Sequence, residues 1–264
     1  MNMSGMNRFV LFSLFVLCSA LWVFAQASNG VSEAAGANDT TYSYKFENPR
    51  FLLKIIEVDL DANGTGELRF TRGESDEVLD CKVKLLPPTI ARIRELFVAS
   101  GFLDSQTDYQ DKKDFAHLGW VTLGARQGAR ERKARFNFTT NSQINELKDI
   151  FLGIAWQEIS LFDIENAERY QPLDLPKQLE ILENDLGLSR IAEPERVLVV
   201  MKEIAKDDSQ PLIARNHAKR ISEAIQKGKF KSPFKKEAIQ KGQDKSPPKK
   251  DAVQKDQDKS PRNK

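Results

Sequence analysis

Through the first third of the mature chain, apolar positions recur at every second residue. Tyr42, Tyr44 and Phe46 alternate with polar neighbours until Pro49, Ile56 and Val58 continue the pattern, and Leu79, Cys81, Val83 and Leu85 alternate with Asp80, Lys82 and Lys84. Period two is the signature of strands with one buried face. Pro87-Pro88-Thr89 then opens a helix whose apolar stripe is Ile90, Ile93, Leu96 and Phe97, with Gly101 where a left-handed cap is wanted. Two further strands are predicted at Leu118 to Arg126 and Arg132 to Thr139, joined around Gln127-Gly128. A second helix starts near Asn141, with Ile144, Leu147, Phe151 and Ile154 on one face. The pattern predicts an α+β fold for residues 42–170, a mostly antiparallel sheet of about five to six strands with helices on one face.

After Tyr170 the period becomes helical throughout. "LPKQLEILENDLG", "AEPERVLVVMKEIAKDD" and "PLIARNHAKRISEAIQKG" each read as a helix, started by Pro176, Pro194 and Pro211. Residues 171–227 are therefore expected to form a small α-helical extension.

The stretch "DLDANGTGE", residues 59–67, raises the question of a metal loop. Asp59, Asp61, Asn63 and Gly64 match the first half of a calcium-binding loop, and Glu67 adds a fourth oxygen-bearing side chain. Position twelve counted from Asp59 is Phe70, which cannot coordinate a cation, and period-two alternation replaces the exiting helix. Strand pairing explains the stretch better. A three-residue loop Ala62-Asn63-Gly64 sets Val58 against Leu68, Ile56 against Phe70 and Glu57 against Arg69, whereas a two-residue loop pairs apolar with charged throughout. The residual difficulty is Asp59 opposite Glu67, a like-charge pair that would tolerate a weakly held cation. No metal and no cofactor is expected.

At 264 residues with 40% apolar content the chain is able to bury a core. Its first 27 residues carry Arg8, an apolar run from Phe9 to Phe24 and Ala25-Gln26-Ala27, the pattern of a cleavable secretory signal. Cleavage would leave Cys81 as the one thiol, so no internal disulfide is possible, and no transmembrane span would remain. Residues 28–41 read as a flexible spacer. The expected location is extracytoplasmic, periplasmic or secreted.

The runs "YKFENPRF", "KKDFAHLGWVTL" and "PLIARNHA" resemble a family of exported bacterial proteins of unknown function. The resemblance covers residues 42 to about 227. It implies an extracytoplasmic location and leaves the chemistry open.

Catalytic candidates are few. His117 and His217 are the only near-neutral acid-base groups. His117 lies close in sequence to Asp114 and Asp111, which would suit an extracytoplasmic hydrolase with His117 as base and an aspartate as orienter. Cys81 shares a strand face with Leu79 and Val83 and reads as a core thiol rather than a partner of His117. Trp120 and Trp156 fall in apolar runs and read as core. No nucleophile elbow, zinc-protease helix, phosphate-binding glycine loop or paired C-x-x-C occurs in the sequence.

The C-terminus repeats itself: "EAIQKGKFKSPFKK", "EAIQKGQDKSPPKK" and "DAVQKDQDKSPRNK" run consecutively from Glu223. These residues hold 13 Lys+Arg against 6 Asp+Glu, a net of +7, while residues 28–222 hold 26 against 32, a net of −6. Residues 228–264 read as a disordered basic tail, so truncation after Ser222 should leave the melting temperature nearly unchanged. The tail's expected partners are anionic envelope polymer or lipid headgroups, met through Lys231, Lys235, Lys236, Lys245, Lys249 and Lys250. Ser-Pro followed by basic residues also resembles minor-groove-binding repeats, but the export signal argues against nucleic acid. The sequence thus favours a non-catalytic binding or scaffolding module over the hydrolase.

Overall fold

The structure is a computed structural model that describes residues 39–73 and 77–234. Four strands come first: β1 (Thr40–Glu47), β2 (Leu53–Asp61), β3 (Thr65–Arg72) and β4 (Val78–Lys84). Helix α1 (Pro87–Ala99) follows, then β5 (Trp120–Gln127) and β6 (Arg130–Phe136). The six strands form one antiparallel sheet in the order β4-β3-β2-β1-β5-β6. The fold is α+β.

Cross-strand register turns the period-two pattern into layers. Cys81, Leu68, Val58, Tyr44, Leu123 and Ala134 are successive partners across all six strands, and they make one row on the helix-covered face. Leu68, Val58 and Leu123 are fully buried there. The neighbouring rows face outward and are charged. Asp80, Arg69, Glu57, Lys45, Thr122 and Arg135 form one, and Lys82, Glu67, Asp59, Ser43, Gly124 and Lys133 form the other.

The β2–β3 connection is the predicted three-residue loop. Val58 pairs with Leu68, Ile56 with Phe70 and Glu57 with Arg69. Gly64 takes the left-handed conformation (φ 79°), which a side chain adopts only with strain. Gly66 has a different reason to be glycine, because a Cβ there would lie 1.8 Å from the Asp59 carbonyl oxygen.

Helix α2 (Ser142–Tyr170) begins where Asn141 accepts a hydrogen bond from the Ile144 amide at 3.0 Å, an N-cap that satisfies one orphan donor. It runs for 29 residues. Its first half lies on the sheet with α1, and Ile144, Leu147, Phe151 and Ile154 are all fully buried. Its last turns contribute Ile164 and Ala167 to a second core, formed with α3 (Leu175–Gly187), α4 (Pro194–Ile204) and α5 (Leu212–Gln226). The prolines open or precede these helices, where the missing N–H has no intrahelical partner to lose.

Three expectations need correction. Strand β1 starts at Thr40, within the residues read as spacer, because Thr40 and Thr41 already pair with Gln127 and Arg126. Trp120 is not core: it lies on the outward face of β5, half-buried, with the Arg135 guanidinium 4.4 Å from its ring centroid. The ordered body also extends past Lys227. Gly228 turns the chain (φ 71°), Phe230 enters the second core, the Ser232 hydroxyl donates to the Ala192 carbonyl at 2.7 Å, and Phe234 packs on the first core. Residues 229–234 are thus a strap across both cores. The reason is in the repeat itself, since the positions of Phe230 and Phe234 carry Asp244 and Pro248 in the second copy and Asp258 and Arg262 in the third. The signal segment, residues 1–27, lies outside the described residues, as does the spacer up to residue 38.

Truncation after Ser222 should therefore lower the melting temperature clearly, whereas truncation after Phe234 should leave it unchanged. Phe230→Ala alone should lose about 3 kcal/mol in urea unfolding, the usual consequence of emptying a buried aromatic site. Equal melting temperatures for the two truncations would mean the strap contributes nothing.

Candidate functional site

The carboxylates of the β2–β3 hairpin are engaged within the protein. The Asp61 carboxylate accepts the Asn63 and Thr65 amides at 2.8 and 2.9 Å and closes the turn in which Asn63 sits. Across the sheet, Arg69 contacts Asp59 at 2.6 Å, Glu67 at 3.1 Å and Glu57 at 3.4 Å. Lys82 adds a contact to Glu67 at 2.7 Å and, with Arg69, holds the Glu67 carboxyl below its ordinary range. The cation that the Asp59–Glu67 pair called for is a side chain of this protein. Among the described residues no group of three or more His, Cys, Asp or Glu side chains is arranged to hold a metal.

His117, Asp114 and Asp111 share a loop without sharing a site. His117 is exposed in a short 3-10 turn, its ring edge-on to Phe115 with centroids 6.0 Å apart, and its carbonyl accepts from the buried Asn48 amide at 3.1 Å. Asp114 accepts the Ala116 amide at 2.8 Å and the Asn137 side chain at 2.7 Å. Asp111 accepts the Lys113 amide at 3.1 Å and the Thr140 hydroxyl at 3.2 Å. Neither carboxylate hydrogen-bonds the His117 ring, so the geometry expected of a base and its orienter is not formed. His217 is half-buried on α5, with Nε2 2.9 Å from Glu183, which Arg220 also contacts.

Cys81 lies on β4, four strands from the β5 end where His117 sits, or roughly 19 Å at the usual interstrand spacing. It is half-buried against the first core rather than sealed within it. Burial pushes its thiol up to about 12, with the carboxylates of Glu158 and Asp80 adding to the rise. That is the environment of an inert thiol, not a nucleophile.

The most concentrated buried chemistry falls on residues that the periodicity did not single out. Gln157, Glu158 and Glu193 are 0, 5 and 1% exposed. The Gln157 side chain accepts the Glu193 amide at 2.7 Å and donates to Glu158 at 3.1 Å. Arg196 donates to both Glu158 oxygens and reaches Glu193 at 3.5 Å. The other Glu193 oxygen accepts the Leu86 amide at 2.8 Å, just before α1. Burial raises the Glu158 carboxyl, and the Arg196 charge opposes that rise. The cluster ties the start of α1, the middle of α2 and the start of α4 together. Its one signal in the sequence is Gln157-Glu158 interrupting an apolar helical run.

Beside this joint lies a cleft of about 260 Å³, lined by Leu86, Arg92, Ile150, Ala192, Glu193 and Phe234 among others. The strap forms one wall. Gly153 makes room for it, since a Cβ there would meet the Phe234 ring at 3.1 Å. Of the tail lysines, Lys231 is exposed on the strap, while Lys235, Lys236, Lys245, Lys249 and Lys250 lie outside the described residues. Among the described residues no helix is long and apolar enough to cross a membrane. No protein-family model matches this chain, and no curated protein matches its sequence.

Arg196→Met should leave Glu158 buried beside no cation and lower stability at pH 7 by about 3 kcal/mol. The raised Glu158 carboxyl fixes the sign: the penalty is full above its folded pKa and fades as protonation removes the charge, disappearing below the unfolded value near 4.3. Urea unfolding from pH 4 to 8 checks this, and a pH-independent loss would assign Arg196 to packing alone. For Cys81, a thiol reagent at neutral pH should label the native protein slowly and the unfolded protein fully. Fast native labelling would contradict the raised pKa.

Proposed function

We propose that this protein is an extracytoplasmic, non-catalytic binding or scaffolding module. Its folded body carries a basic Lys/Ser-Pro tail to an anionic envelope polymer or to lipid headgroups. The observation that carries the reading is the strap. A repeat copy whose Phe230 and Phe234 are seated in two cores roots the following copies at one fixed point on the body. A rooted tail lets a rigid module be held at a surface by charges that need no fold of their own.

Charge separation supports the same reading. The sequence puts a net −6 on residues 28–222 and +7 on residues 223–264, so an anionic surface attracts one part and repels the other. The region of the exposed sheet face around β2 and β3 neutralises itself through Arg69, Lys45 and Lys82. The tail carries the excess positive charge of the chain. Export rests on the signal-like first 27 residues and on the family resemblance.

The experiment compares residues 28–264 with a truncation after Phe234, which keeps the strap. Binding is measured by cosedimentation with vesicles of anionic or of zwitterionic lipid, and with purified cell-wall polymer, at low and at physiological salt. The full tail should bind one anionic surface and release it as salt rises, and the truncated form should bind neither, with an unchanged melting temperature. Equal retention of both proteins would refute the role of the tail.

A further inference from the structure

A second cleft lies at the opposite end of β1 and β5 from the His117 loop, where the C-terminal part of α1 meets the start of β1 and the β5–β6 turn. It measures about 210 Å³. Its floor is aromatic: Tyr42 stacks on Phe97 with ring centroids 5.1 Å apart, and Phe102 meets Phe97 edge-on at 5.0 Å. Arg94 and Arg130 stand at its rim, and Asp104 is the one carboxylate among its lining residues.

These groups are held in place from behind. Arg94 donates to the Ala62 carbonyl at 2.9 Å, and its charge opposes the rise that burial gives the Tyr42 phenol, so its guanidinium is held beside the aromatic floor. Arg130 pairs with Asp104 at 2.9 Å and with Gln127, on the other side. Gly101 turns the chain at the end of α1 in the left-handed conformation (φ 56°), and a Cβ there would meet nothing within 4 Å, which leaves that wall open.

We propose that this cleft binds a small anion with a flat apolar body, such as an aromatic carboxylate. An apolar floor with a few convergent polar groups is the usual construction of a small-ligand site, and this volume suits one or two rings rather than a drug-sized molecule. Two guanidinium groups against one carboxylate set the sign of the ligand's charge, and arginine's planar fork suits a carboxylate. The accessible edges of Tyr42 and Phe97, with Val98 and Leu103, supply the apolar contact. The site is independent of the strap and the tail.

The test uses 2-naphthoate and its neutral isostere 2-naphthamide, followed by ligand-observed NMR on the full mature chain. Val98 lines the cleft one helical turn from Arg94 and is 75% exposed, so it accepts either charge without disturbing the core. Naphthoate should bind saturably and more tightly than naphthamide. Val98→Glu should weaken naphthoate about fivefold and spare naphthamide, while Val98→Lys should keep naphthoate binding or tighten it. The proposal is overturned if naphthoate shows no saturable binding. It is also overturned if Val98→Glu changes nothing, or if the neutral and anionic probes bind alike.

Discussion

Helix α2 has 29 residues and is about 43 Å long, while the longest strand of the sheet, with nine residues, spans about 30 Å. A helix that outruns its sheet leaves apolar side chains with nothing to bury against. Here Ile164 and Ala167 lie beyond the sheet's cover, and α3, α4 and α5 close around them as a second core. The helical extension is thus a requirement of the helix that precedes it, and the two cores share a single rigid element.

Sharing a helix does not by itself fix how the cores meet, and two devices near the junction do that. In the buried Gln157, Glu158, Glu193 and Arg196 cluster, α2 accepts hydrogen bonds from the entry of α4, and Glu193 at that entry accepts one from the entry of α1. Such a cluster contributes geometry more than net energy, because taking the charges out of water offsets much of their attraction. The strap works by the opposite chemistry. Phe230 and Phe234 bury apolar surface on either side of the junction, and the Ser232 hydroxyl sets their register against Ala192. A polar joint specifies the arrangement and an apolar strap supplies cohesion.

The same economy is visible on the open face of the sheet. Two outward rows bring Glu57, Asp59 and Glu67 together on adjacent strands, and Arg69, directly opposite Glu57, contacts all three. An arrangement that reads along the chain as half a metal loop is, across the sheet, a salt-bridge lattice. The candidate acid-base loop has a similar resolution, with its aspartates committed to turns and its histidine presented to solvent. Those commitments leave the tail root and the arginine-rimmed cleft as the two sites proposed above for contact with other molecules.

What the sequence by itself determined is the part that depends on nearest neighbours along the chain or across one turn. The strand period, the three-residue turn with its Val58–Leu68 and Ile56–Phe70 register, the Asn141 cap and the proline helix starts are all local, so their residues specify them directly. The strap was legible in principle, because setting the three copies side by side isolates Phe230 and Phe234 as the departures. Tertiary structure alone decided the remainder. Which face of β5 is covered put Trp120 outside, the separation of β4 from β5 parted Cys81 from His117, and packing at the junction buried Glu158. Each of these turns on contacts between segments far apart in sequence, and composition and period carry no information about which distant segment will arrive.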